Sequence, residues 1–72
     1  MKGVELIRLL KRYAAQHDLP FSYDGSFGKG GHGRITLGNR FATIPAPHKE
    51  LKTGTALAIV KQLGLRKPDL GL

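Results

Sequence analysis

From Val4 onward, apolar residues recur at the three-and-four spacing of one helical face: Val4, Ile7, Leu10 and Ala14, widened by Leu6, Leu9 and Tyr13. Lys2, Arg8, Lys11 and Arg12 are left for the other side, so the pattern predicts an amphipathic helix over residues 3–16. His17-Asp18-Leu19-Pro20 ends it, because a proline biases the residue before it away from helical angles. The period then changes to two. Phe21 and Tyr23 alternate with Ser22 and Asp24, the mark of a short strand.

A glycine-dense loop follows, with Gly25, Gly28, Gly30, Gly31 and Gly33. Residues 32–37 read as a second strand, Ile35 and Leu37 on one face and Arg34 and Thr36 on the other. Gly38-Asn39 is a Gly-first pair of the kind that closes two-residue hairpins. Residues 40–46 form a third strand, with Phe41, Thr43 and Pro45 on one side and Ala42 and Ile44 on the other. Pro45 and Pro47 stop it.

After a connector, Thr53 and Thr55 offer themselves as N-caps of a second helix with Ala56, Ile59, Val60 and Leu63 as its apolar stripe. Lys61 falls in its last turn and Gly64 suits its C-terminal cap. Residues 66–72 read as a tail open to fraying. The order is helix, three antiparallel strands, helix. Two helices on one face of the sheet would close a single two-layer α+β domain over residues 1–72.

Composition narrows what such a domain does. A chain of 72 residues leaves no room for a second domain or a dinucleotide oxidoreductase. It has no Cys, which excludes disulfides and thiolate metal sites, and 40% hydrophobic residues, which suffice for a core. The longest apolar run, Ala56 to Val60, is far too short to span a bilayer. Charged residues interrupt the first apolar segment, so no secretory leader is expected and a cytoplasmic protein is the default. Twelve Lys+Arg against five Asp+Glu give a formal charge of +7, which favours phosphate polymers or an acidic protein as partners. From Gly25 to Arg40 the chain carries Lys29, Arg34 and Arg40 and no acid.

Gly28-Lys29-Gly30-Gly31-His32-Gly33 matches G-x-G-x-x-G, yet it leads into a strand, whereas the dinucleotide turn must open a helix. A kinase does not fit in this length, and Gly30 after Lys29 breaks the Walker pattern. What remains is a backbone able to approach phosphate closely, with cations on either side of an imidazole. Those are parts for metal-free RNA cleavage. A base removes the ribose 2′-hydroxyl proton, an acid protonates the departing 5′-oxygen, and cations steady the charged transition state. Histidine suits either role, since its ordinary pKa of about 6.5 lies near working pH. His32 is the candidate general acid or base, Lys29, Arg34 and Arg40 the candidate phosphate contacts, and period two sets Arg34 on the face of His32. Lys11, Lys49, Lys52 and Lys61 would extend the basic track. His48 is the other proton-transfer candidate. His17, His32 and His48 lack metal-ligand spacing, so no metal or cofactor is expected.

The run Gly30-Gly31-His32, then Ile44-Pro45, His48-Lys49-Glu50-Leu51-Lys52-Thr53-Gly54-Thr55 and Lys61-Gln62-Leu63-Gly64-Leu65, resembles the HicA toxins of bacterial type II toxin–antitoxin pairs. Glu5-Leu6-Ile7-Arg8-Leu9-Leu10 is similar to their first helix. The resemblance implies a fold like double-stranded-RNA-binding domains. It also implies a metal-independent endoribonuclease that cleaves messenger RNA and is neutralised by a HicB-type antitoxin, with His32 at the position of the family's essential histidine. Gly30, Lys29, Arg34, Arg40 and Lys52 become its expected RNA contacts, while Glu50, Gly54 and Thr55 read as turn and cap. Gly31 stands where Ser is usual, and Gly33 where a larger residue often follows. The alternative is a non-catalytic module gripping A-form RNA by shape and 2′-hydroxyl contacts.

Overall fold

The computed structural model describes residues 1–25, 32–45 and 48–72, and its elements follow the expected order. Helix α1 spans Gly3–Gln16, strands β1, β2 and β3 span Phe21–Asp24, Gly33–Leu37 and Arg40–Ile44, and helix α2 spans Thr53–Gln62. A 3-10 helix at Lys67–Leu70 comes last.

Helix α1 begins where the Lys2 N–H donates to the Glu5 carboxylate at 3.0 Å, a favourable place for negative charge. It ends at Gln16, four residues before Pro20. Asp18 adopts φ 55°, and the Leu19 N–H donates back to the Ala14 carbonyl at 2.9 Å, so a left-handed cap stops the helix before the proline acts. The His17 ring stacks on Tyr13, centroids 4.1 Å apart, at this same end.

The strands form one antiparallel sheet in the order β1-β2-β3. Gly38, with φ 62°, turns β2 into β3, and Leu37 pairs with Arg40 across the turn. Alternation then sorts the residues. Ile35 and Leu37 of β2 and Ala42 and Ile44 of β3 are buried, as are Leu6, Leu10 and Ala14 of α1 and Ile59 and Val60 of α2. Helix α1 packs across β1 and β2 and helix α2 across β3, so both helices cover one face and leave the other open. Each fully buried Leu or Ile contributes roughly 1.5–3 kcal/mol against exposure.

The connector into α2 is tied to the start of α1. Lys2 and Glu50 form an antiparallel bridge, and the Leu51 N–H donates to the Met1 carbonyl at 2.9 Å. The expected threonine caps are not there: Lys52 is the N-cap in extended conformation, no side chain caps the helix, and Thr53 is its first residue. At the other end Gly64 adopts φ 80°, and the Leu65 N–H donates to the Val60 carbonyl at 3.0 Å. Residues 66–72, read from the sequence as an open tail, contain the 3-10 helix, whose Leu70 is buried against α1. No helix among the described residues is long and apolar enough to cross a membrane.

Candidate nucleic-acid interface

The helix-free face of the sheet is assembled by register. Asp24 of β1, Arg34 of β2 and Thr43 of β3 stand in one row, and Ser22, Thr36 and Phe41 in the next. His32 immediately precedes β2 and is exposed. One residue, Gly33, separates it from Arg34, so their Cα atoms lie roughly 7 Å apart. The Arg34 guanidinium sits over the Phe41 ring, 4.0 Å from its centroid. Arg34 of β2 and Phe41 of β3 are therefore diagonal neighbours, and His32 lies just before the start of β2, on the far side of Arg34 from Phe41.

Two features fix this line. The Gln62 side-chain amide of α2 donates to the Phe41 carbonyl at 3.3 Å, clipping β3 to the helix layer. On the covered face Tyr23 lies against Gly33: a methyl group there would come within 2.5 Å of its ring. The strand can start at this point, directly after His32, because Gly33 has no side chain. Gly33 also opens a strand and no helix, which removes the structural context that a dinucleotide turn needs.

The expected contact residues separate. Arg34 joins His32. Arg40 does not: as the partner of buried Leu37 it belongs to the covered side, and its Nε lies 2.8 Å from where a Gly64 side chain would begin. Its cation rests at the C-terminal end of α2, a favourable place for positive charge in the helix dipole. Lys52 is the exposed N-cap of α2, in the helix layer. Lys29 and Gly30 lie outside the described residues. His48 is exposed in the connector that leaves the sheet at the His32 end. Arg8, Lys11 and Arg12 form an exposed basic band on α1, opposite its buried stripe. Among the described residues no group of three or more His, Asp or Glu side chains is arranged to hold a metal ion.

Phe41 and Asp24 were not singled out by sequence reasoning. Phase was the available signal for Phe41: it alternates with Thr43 and against Ala42 and Ile44, which puts an aromatic ring on the polar side.

Chemically, the face offers a proton-transfer group, a cation that can meet phosphate, hydroxyl donors from Ser22, Thr36 and Thr43, and one aromatic ring. Comparisons with protein-family models, with curated proteins and with solved structures return no match for this chain.

Proposed function

We propose that this chain is a metal-independent endoribonuclease of the HicA toxin kind, cutting messenger RNA in the cytoplasm and held inactive by a HicB-type antitoxin. The carrying observation is an exposed histidine, His32, immediately before β2 and two positions from Arg34 of the open sheet face. The resemblance of the Gly30-to-Leu65 blocks to HicA toxins supports the reading, as does the +7 charge.

In the proposed reaction the substrate's own 2′-hydroxyl is the nucleophile. His32 takes its proton as the 2′-oxygen–phosphorus bond forms, and Arg34 offsets the charge gathering on the phosphoryl oxygens. The phosphorus–5′-oxygen bond breaks with its electron pair leaving on oxygen, which takes a proton from an acid. The products are a 2′,3′-cyclic phosphate and a free 5′-hydroxyl. If His32 is instead the acid, the same bonds change and the base is another group.

The test uses a labelled RNA, the wild-type chain, and the variants His32→Ala and His32→Gln, with and without a chelator. Cleavage by wild type should leave cyclic phosphate ends and ignore the chelator, and both variants should lose about 10²–10⁴-fold in rate. Equal cleavage by the variants removes His32 from the chemistry. Binding by wild type without any cleavage favours the non-catalytic RNA-binding module. Co-expression with the product of the adjacent gene tests the antitoxin: it should relieve growth arrest caused by wild type.

A further inference from the structure

We infer that Phe41, with Arg34 laid across it, is a stacking platform for an unpaired base, so that the substrate is single-stranded RNA bound on the open sheet face. The inference rests on the nuclease reading of His32 and names the substrate class of the same site.

Phe41 is 52% exposed, the most exposed large apolar side chain among the described residues. It sits in mid-strand, paired with Thr36, and its backbone is held by Gln62. An aromatic ring on water-facing sheet adds nothing to the core, while its face is the surface a nucleobase can cover. The Arg34 guanidinium is already parked at 4.0 Å from the ring centroid, and a base entering here meets a planar cation and a ring together.

Placement relative to the chemistry completes the argument. Arg34 lies between His32 and Phe41, so a phosphate held near His32 and Arg34 brings a neighbouring base within reach of the ring. Asp24 puts negative charge on the β1 side of Arg34, which favours the polyanion on the β3 side, where Phe41 stands. Thr36, paired with Phe41, and Thr43, two positions along β3, are small and polar, and Phe41 stays 52% exposed with Arg34 over its ring. In a duplex the base faces are already occupied by their neighbours and cannot lie on a ring. Only an unpaired base has one to offer.

The chain has no Trp, so Phe41→Trp creates a single fluorophore at the platform. The probe is a 2′-O-methyl oligoribonucleotide, which lacks the nucleophile and cannot be cut, used as a single strand and as a duplex. The single strand should quench the Trp fluorescence strongly and the duplex should leave it unchanged. Phe41→Leu should weaken single-strand binding about tenfold, the size of one base–aromatic stack, with duplex binding and melting temperature unaltered. Unchanged single-strand affinity in Phe41→Leu, or equal quenching by the duplex, overturns the platform and leaves the ring to a protein partner. The two readings fail separately. Quenching in Phe41→Trp and single-strand binding by wild type, with no cutting of RNA by wild type, sink the nuclease alone. Cleavage with an unaltered KM in Phe41→Leu sinks the platform alone.

Discussion

Gly33 makes the strictest demand of any single residue, and the demand is for space. Its φ is not in the left-handed region, unlike those of Gly38, Gly64 and Gly71, so another residue could adopt its backbone. A Cβ, however, would sit 2.5 Å from Tyr23 Cε1 and 2.6 Å from its Oη. Gly33→Ala should therefore cost about 1–3 kcal/mol in urea unfolding, because the half-buried Tyr23 ring must move. In a Tyr23→Ala background the same substitution should cost less, by more than about 0.5 kcal/mol, the coupling expected of residues in contact. Equal costs in the two backgrounds would mean that the ring is not what excludes the methyl. The glycine-rich string itself invites a phosphate-binding reading. One of its members is explained by packing, which needs the partner Tyr23 to be seen.

At the scale of elements, α1, the Gly38-Asn39 turn and the buried face of each strand were legible because period and turn chemistry are local. Cap geometry was not: two threonines at helix-start spacing looked like caps, but the bridge between Lys2 and Glu50 and the burial of Leu51 set where α2 begins. Arg40, a candidate phosphate contact with Arg34, lies on the other side of the sheet from it for a reason the sequence does contain. Residues flanking a two-residue turn face the same way, and Leu37 is buried, so Arg40 goes to the helix side. The segment after Arg66 depended on tertiary packing alone. The Arg66 N–H donates to the Asp69 carboxylate at 2.8 Å, opening a 3-10 helix that turns Leu70 onto α1. Leu70 is 8% exposed and Leu72 48%. Leu70→Ala should thus lower unfolding free energy by about 2–4 kcal/mol, and Leu72→Ala by less than about 0.5. Equal, small effects in denaturant melts would show that this segment is not part of the core.

For the whole molecule the question is which of its cations meet the polyanion. Among the described residues, cations stand on both sides of the sheet: Arg8, Lys11 and Arg12 on the outer surface of α1, with Arg40 and Lys52 also in the helix layer, and Arg34 on the open face. A small domain with this balance gains from any partner that covers its charge, since whatever binds only the folded chain stabilises it. Salt dependence can identify the side used. Each phosphate contact on a single strand contributes roughly 0.7 to the slope of log affinity against log salt. For the uncleavable single strand, Arg34→Ala should flatten that slope by about 0.7, whereas Arg40→Ala, whose cation lies at the end of α2, should leave it unchanged. Lys11→Ala should act like Arg40→Ala, because the outer face of α1 lies across the molecule from the sheet surface. A slope that flattens with Lys11→Ala and ignores Arg34→Ala would transfer binding to the helix layer, the side a duplex gripped by shape would use. Net charge is identical in the three variants, so a difference among them reports position and not overall attraction.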